Sequence, residues 1–268
     1  MNTYNTNDES VIVIENYYHY YKTFALSGIV DYHEGPVNWI LPKIGEKGPS
    51  LAFNIRLEEE TAENVIQEHI KGICKKKIPD MWFITPDTMP SNIISILEQN
   101  SFVNLSSESN EPEPGMLLKK DDFCPYRIST NGIVCRKAQS KADFNIWIDI
   151  VNTALHGWEM IDAENYYIWL KNGVYDFYLA EIDGIPVSTA ATIQNGDTAS
   201  LEFVSTLNEY RRRKAAITVS TMALEDLFAK GVKTVTLSGG VEAVTLYKKL
   251  GFHSYFNNIL LKYNISDQ

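Results

Sequence analysis

Residues 199–216 read ASLEFVSTLNEYRRRKAA. An apolar stretch typical of a strand runs into a turn and then directly into a helical pattern, and four consecutive cations, Arg211 to Lys214, stand at the turn. Cations at a helix N-terminus are unfavourable by roughly 0.3–1 kcal/mol each at an exposed site, whereas the unpaired backbone N–H groups there attract anions. The segment therefore predicts an anion site, with phosphate as the usual ligand. An ordinary solvated run of charges is the alternative.

The second half of the chain surrounds this segment with alternating strand and helix patterns. Strands are predicted at residues 133–136, 177–182, 185–194, 199–205, 232–237 and 256–263. Helices are predicted at residues 142–155, 163–170, 215–230 and 242–250. This order predicts an α/β (α+β) domain built on a mixed sheet.

The first half of the chain ends with a similar order of elements. A helix, a strand, a helix that opens on proline and a final strand are predicted at residues 62–77, 80–85, 90–99 and 116–118. The segment ILEQNSF at 96–102 parallels LYKKLGF at 246–252, since each combines a helix end, a turn and a phenylalanine. We therefore expect two αβ domains in tandem, residues 1–128 and residues 129–268, with the boundary inside segment 125–132.

Composition narrows the classes of function. The 268 residues carry 24 Lys and Arg against 34 Asp and Glu, and the net charge of −10 argues against a general nucleic-acid binder and against charge-driven membrane attachment. An apolar share of 44% excludes wholesale disorder. The three cysteines and five histidines lack the spacing of a disulfide framework or a metal site. With neither a membrane-spanning apolar run nor a signal-peptide pattern, we expect a cytoplasmic protein.

Three motifs in residues 133–268 resemble the GNAT superfamily of N-acetyltransferases. The segment Arg211–Ala216 stands where that family has Arg/Gln-x-x-Gly-x-Gly/Ala, with Lys214 in place of the middle glycine. The segment before it, 201–211, is similar to the family's V-x-T-x-P-x-Y-R passage. Residues 243–252, AVTLYKKLGF, match A-x-x-L-Y-x-x-x-G-F at every specified position. The resemblance implies a GNAT fold that uses acetyl-CoA.

The first half resembles the degenerate N-terminal copy of tandem GNAT acetyltransferases. Residues 79–90, PDMWFITPDTMP, and the later pair Gly115-Met116 carry this similarity. No glycine or arginine loop opens the helix predicted at 62–77. The resemblance implies that this copy does not bind CoA and that it has a structural role, with one wall of the acceptor pocket as a further contribution.

The same resemblance implies roles for individual residues. The cofactor would be held by the open edge of the 201–206 strand and by the loop that follows, that is by Val204, Ser205, Thr206, Arg211, Arg212, Arg213, Lys214, Ala215 and Ala216. Tyr247 would donate a proton to the leaving thiolate, and a core aromatic is its alternative reading. Glu202 would accept the proton of the amine. Its alternatives are an exposed strand carboxylate or a salt-bridge partner of the arginine run.

The acceptor is expected between the central strand and the aromatic segment 155–170, LHGWEMIDAENYYIWL. Ring faces and the carboxylates of Glu159, Asp162 and Glu164 would suit a cationic amine, and His156 could line the same pocket. Ordinary core packing and solvated acids are the alternative for this segment.

These observations together predict an acetyl-CoA-dependent N-acetyltransferase, a monomer or homodimer, that acetylates a small amine or amino-acid-like acceptor by direct transfer without a metal. Two alternatives stay open. One is a transferase for a longer acyl-CoA donor. The other is a non-catalytic ligand- or partner-binding module, which Lys214 favours and the intact Tyr247 motif opposes.

Overall fold

The computed structural model describes residues 8–108, 113–127 and 132–264. The helices of this part of the chain are α1 (Asp8–Thr23), α2 (Ala62–Cys74), α3 (Ile93–Gln99), α4 (Leu105–Glu108), α5 (Lys141–Val151), α6 (Ala163–Lys171), α7 (Ala215–Ala229) and α8 (Val241–Lys249). The strands are β1 (Val30–His33), β2 (Val37–Pro42), β3 (Leu51–Ile55), β4 (Met81–Ile84), β5 (Phe102–Asn104), β6 (Glu113–Lys119), β7 (Ile133–Lys137), β8 (Asp176–Ile182), β9 (Ile185–Asn195), β10 (Thr198–Thr206), β11 (Thr234–Ser238) and β12 (His253–Tyr263).

The described strands join into one mixed sheet. Its order is β1-β2-β3-β4-β12-β6-β11-β10-β9-β8-β7, and β5 pairs beside this path with β12. The pairs β3–β4 and β10–β11 are parallel, and the other ladders are antiparallel. The mixed-sheet α/β class predicted from the sequence is confirmed.

The two halves of the chain exchange strands at the middle of this sheet. Strand β6 comes from the first half, yet it lies between β11 and β12 of the second half. Strand β12 pairs with β6 through residues 253–258 and then with β4 and β5 through residues 259–263. In the first half, the parallel pair β3–β4 is followed by the antiparallel strand β12 of the second half. In the second half, the parallel pair β10–β11 is followed by the antiparallel strand β6 of the first half.

Helix α1 ties the first half to the second through buried polar contacts. The side-chain amide of Asn16 donates to the Ala199 carbonyl (3.2 Å) and to the Thr236 hydroxyl (3.0 Å), which belong to the paired ends of β10 and β11. The Tyr17 hydroxyl donates to the Leu237 carbonyl at 3.2 Å. It can approach the sheet because Gly115 has no side chain: a Cβ there would lie 3.0 Å from that hydroxyl.

Three clusters of buried apolar side chains form the core. One lies beneath α1, α5 and α6 on a single face of the sheet and includes residues of both halves, among them Phe53, Trp147 and Phe203. The other two lie on the opposite face, one under α7 and α8 and one under α2 and α3. The sheet is thus covered on both faces, and the continuous cluster on one of them makes the two halves pack as a unit.

Local signals explain where the helices of the second half begin. Helix α5 starts at a capping box, in which the Ser140 hydroxyl accepts from the Asp143 amide and the Asp143 carboxylate accepts from the Ser140 amide. Asp162 caps α6 by accepting from the amides of Glu164 and Asn165. These caps fix the first turns of α5 and α6.

Several predicted elements differ from those observed. The helix predicted at 142–155 ends at Val151 and continues as a wider π-helical turn over Asn152–His156. The helix predicted to open on Pro90 begins at Ile93. Strands β1, β2 and β3 had no prediction. The boundary predicted between residues 128 and 129 lies outside the described residues, so the division into domains stays a prediction.

Candidate active site

The candidate site begins where β10 and β11 separate. Their parallel ladder covers only the first three residues of β10, from Thr198 to Ser200. On its other side, β10 continues its pairing with β9 through Thr206. Beyond Ser200, the edge of β10 that faces β11 is therefore left without a partner strand among the described residues.

A β-bulge shapes this open edge. Glu202 pairs with Ala191 but Ser205 pairs with Thr189, so β10 contains one extra residue, and Phe203 has a φ of 53°. The Thr189 hydroxyl donates to the Phe203 carbonyl at 2.8 Å, and a hydroxyl of β9 also donates to the Ser205 carbonyl at 2.6 Å. The displaced carbonyl groups are thus satisfied from the β9 side, and the opposite edge stays available.

The basic loop follows directly and has an unusual backbone. Arg212 and Lys214 have φ values of 62° and 72°, and Lys214 is the residue before the first turn of α7. Left-handed residues near a helix start turn successive N–H groups toward one side, which makes an anion-binding concavity. Lys214 keeps the left-handed conformation that a glycine adopts without strain. Its ammonium lies 5.9 Å from the ring centroid of Tyr126.

The arginines of the loop have different surroundings. Arg211 is 3.6 Å from the Glu242 carboxylate. Arg213 is 3.8 Å from Asp183 and lies over the Tyr210 ring at 5.4 Å. Two of the predicted cations are therefore paired with carboxylates other than Glu202.

One cleft of about 750 Å³ brings the predicted residues together. Of the predicted site residues it is lined by Glu202, Val204, Ser205, Thr206, Arg211, Arg212, Lys214, Ala215, Ala216 and Tyr247. Arg213 is not part of this lining. The lining also contains residues that the sequence did not suggest, namely Tyr20, Glu113, Ala154, Tyr210, Ser238 and Leu246.

Tyr247 lies on α8 at the wall of the cleft. Its ring packs edge-on against Phe252 at 5.8 Å, and only 5% of the residue is exposed. Burial raises the pKa of its hydroxyl well above the usual value, and the nearby charge of Glu202 acts in the same direction. The hydroxyl is therefore protonated throughout the neutral range and can act as a proton donor.

Glu202 is the second titratable group of the cleft. Burial raises the pKa of its carboxyl to about 8, and the Ser200 hydroxyl opposes this shift. Burial raises the pKa of Tyr20 and of Tyr247, the charge of Glu202 adds to both shifts, and all three residues line the cleft. A carboxylate with a pKa close to neutrality can both accept and release a proton under ordinary conditions.

The acidic residues predicted to face the acceptor have structural partners instead. Glu159 pairs with Lys47 at 2.5 Å, Glu164 pairs with Lys141 at 2.6 Å, and Asp162 caps α6. Burial lowers the pKa of His156 to about 4. From segment 155–170 only Leu155 lines the cleft, so the alternative reading of packing and solvated acids fits these residues.

Within the described residues, no group of three or more His, Cys, Asp or Glu side chains is arranged to hold a metal ion. No helix in the same residues has the length and apolar character needed to cross a membrane.

Comparisons with known proteins extend this description. Residues 144–252 match the model of the Acetyltransferase (GNAT) family. No curated protein matches the sequence. Among solved structures, a GCN5-related N-acetyltransferase from Kribbella flavida shares 16% identity with a TM-score of 0.72, and the alignment covers 96% of each chain.

Two other solved structures share the fold. A GCN5-related N-acetyltransferase from Sphaerobacter thermophilus has 15% identity and a TM-score of 0.63, over 84% of this chain and 79% of that one. A tandem GNAT protein from the clavulanic acid biosynthesis pathway has 11% identity and a TM-score of 0.55, over 86% of this chain and 79% of that one. At these identities the solved structures show that the fold is shared. The indication of acetyltransferase chemistry comes from the family match over residues 144–252 and from the motifs. The match over residues 144–252 to the GNAT acetyltransferase family and the shared fold thus support an acyltransferase.

Proposed function

We propose that the protein transfers the acetyl group of acetyl-CoA directly to the amino group of a small molecule. One observation carries the proposal: the unpaired edge of β10, the basic loop, Glu202 and Tyr247 all line the same cleft. A phosphate-binding loop, an edge for amide pairing and two proton-transfer groups are the parts that this reaction requires.

The loop and the open edge would hold the donor. The backbone amides of 212–216 and the Arg212 guanidinium suit the pyrophosphate, because charge-assisted hydrogen bonds to phosphate are the strong ones. The free edge of Val204–Thr206 offers peptide groups to the amides of pantetheine, in the manner of an added strand. Lys214 does not oppose this arrangement, since its backbone keeps the shape that the motif's glycine provides.

Two side chains would move the protons. The neutral amine nitrogen attacks the thioester carbonyl, its proton passes to Glu202 directly or through water, and the C–S bond breaks. The departing thiolate receives the hydroxyl proton of Tyr247. A glutamate with a pKa of about 8 is more basic than an ordinary carboxylate, and in its unprotonated form it can accept the proton that the attacking amine releases.

We further propose that the first half is a copy of the same unit without a donor site. Its parallel pair β3–β4 is not open at the corresponding place, because the Leu57 amide donates to the Met89 carbonyl (3.1 Å) and the Met89 amide donates to the Ile55 carbonyl (3.0 Å). The loop before α2 contains three glutamates, at 58–60, where a pyrophosphate would require donors. The strand exchange supports a tandem arrangement of two related units.

Calorimetry and a thiol-release assay test the proposal. We expect acetyl-CoA to bind the wild-type protein with a dissociation constant in the micromolar range and Arg212→Ala to weaken this binding about tenfold or more. Arg127→Ala, an exposed arginine outside the cleft, is the matched control and should leave binding unchanged. If acetyl-CoA does not bind at high micromolar concentration, the proposed reaction is wrong and a non-catalytic module becomes the better reading.

The acyl chain is tested in the same assay. Acetyl-CoA, butyryl-CoA and octanoyl-CoA are compared with a mixture of primary amines as acceptors. We expect the highest kcat/KM with acetyl-CoA. A clear preference for one of the longer donors would replace the acetyl group in the proposal and keep the rest.

A further inference from the structure

We propose that Glu113 binds a second cationic group of the acceptor, so that the acceptor is an amine with two cationic groups and no carboxylate. This inference rests on the proposed function, since it assigns the acceptor class of the same cleft. Glu113 had no predicted role. It belongs to β6, the strand that the first half contributes to the sheet of the second.

The position of Glu113 follows from the sheet register. It is opposite Asn258 in the β6–β12 pair, and Ser238 is opposite Gly115, two residues along β6. Side chains of directly opposite residues and of residues two apart point to one face of a sheet. Glu113, Ser238 and Asn258 therefore share a face, and the first two line the cleft.

The carboxylates of Glu113 and Glu202 act on the same part of the cleft. Both residues line the cleft, and beside the main effect of burial their charges add to the raised pKa of the Tyr17 and Tyr21 hydroxyls on α1. Glu113 is accessible to solvent, yet partial burial raises the pKa of its carboxyl. Two partly desolvated carboxylates with separate positions suit a ligand that has two positive charges.

Asn258 is the third residue on this face, and its side-chain oxygen has no hydrogen-bond donor within the described residues. The Asn258 amide group donates to the Ser238 hydroxyl (3.0 Å) and to the Tyr17 hydroxyl (3.3 Å), and the residue is only 3% exposed. Its side-chain oxygen is buried and has no hydrogen-bond partner within the described residues. Such an oxygen calls for a water or a ligand as donor.

The charges also discriminate between classes of amine. In a diamine, one nitrogen can approach the thioester near Glu202 while the other binds Glu113. In an amino acid, the carboxylate would enter a region that already holds two acidic side chains, and like charges in a partly desolvated site repel strongly. The arrangement thus selects a dication over a zwitterion of the same length.

Ligands of matched length test the inference. Calorimetry measures the binding of 1,4-diaminobutane, butylamine and 4-aminobutanoate to the protein, both free and saturated with CoA. Because spacing matters, 1,3-diaminopropane and 1,5-diaminopentane are included. We expect the best diamine to bind at least tenfold more tightly than butylamine. Its affinity should exceed that of 4-aminobutanoate by a still larger factor.

A matched pair of variants assigns the effect to Glu113. Glu113→Gln should reduce the ratio of diamine to butylamine affinity to near one and leave butylamine binding within about twofold. Glu59→Gln, a change of an exposed glutamate outside the cleft, should leave the ratio unchanged. The inference is overturned if no diamine binds, if 4-aminobutanoate binds as well as the diamines, or if Glu113→Gln keeps the wild-type ratio.

The outcomes separate this inference from the proposed function. If acetyl-CoA does not bind, the proposed function fails, and diamine binding to the free protein still decides whether Glu113 holds a cation. If acetyl-CoA binds and is cleaved with other amines while Glu113→Gln has no effect on selectivity, only the acceptor class is wrong.

Discussion

Replacing Glu202 with glutamine should make the protein more stable at alkaline pH and less active. Burial raises the pKa of this carboxyl from an ordinary value of 4.5 to about 8. Below pH 4.5 the carboxyl is protonated in both the folded and the unfolded chain. Between pH 4.5 and 8 the folded protein holds a proton that the unfolded chain has lost, so the free energy of unfolding falls as the pH rises through this window.

The size of the effect follows from the shift. One pKa unit corresponds to about 1.4 kcal/mol, so the charged carboxylate lowers the free energy of unfolding by up to about 5 kcal/mol at pH 9. Glutamine has nearly the same shape and no charge to desolvate. Glu202→Gln should therefore be several kcal/mol more stable than the wild type at pH 9 and within about 1 kcal/mol of it at pH 5.

Urea unfolding of the wild type and Glu202→Gln at pH 5 and pH 9 measures this difference, with Glu59→Gln as the control for losing a surface charge. The same variants are compared in kcat/KM as a function of pH. The wild-type value should rise with pH up to about 8 and then level off, because the base must be unprotonated. Equal stability of the two proteins at pH 9, or an unchanged pH profile in Glu202→Gln, would refute both the burial argument and the assignment of the base.

Three other substitutions test separate parts of the site. Tyr247→Phe should lower kcat by about a hundredfold or more and keep the acetyl-CoA dissociation constant within twofold, because a positioned general acid typically raises the rate 10²–10⁴-fold. Tyr167→Phe is the control. Unaltered turnover in Tyr247→Phe would exclude the acid role. Lys214→Gly should raise the free energy of unfolding by roughly 1 kcal/mol, because it removes a side chain from a left-handed backbone. A lower free energy of unfolding in urea denaturation would contradict this. Gly115→Ala should lower the melting temperature, because a Cβ there would lie 2.7 Å from the Phe256 ring and 3.0 Å from the Tyr17 hydroxyl; a melting temperature equal to that of the wild type would mean that the helix adjusts without cost.

Local patterns were enough to predict the strand, the turn and the helices that surround the cleft. Strand β10, the basic loop and α8 follow one another within residues 198–249, and each has its own signal in residue type and spacing. Lys214 stands where the motif has glycine, and its backbone has the left-handed conformation that glycine adopts without strain. The position therefore keeps that conformation although the residue differs.

Long-range contacts were beyond the reach of such patterns. Glu113 and Tyr20 reach the cleft through a strand exchange and through the docking of α1, and no local pattern specifies which distant strand pairs with which. For the acidic residues of segment 155–170, in contrast, a local pattern was present and indicates a structural role. Asp162, followed closely by the start of a helix, is a recognisable N-cap, and this signal explains the residue better than a binding role does.

The exchange of strands also sets the order in which the molecule can be completed during synthesis. Strand β4 leaves the ribosome early, but the neighbour that it pairs with, residues 259–262, is made only after the whole second half. Until then β4 keeps an edge without its native partner, while β6 must wait for β11. Such pairings between distant segments slow folding and leave edges open to wrong partners. Neither half is expected to be stable when expressed alone, because each would lack the strand at the centre of its own sheet.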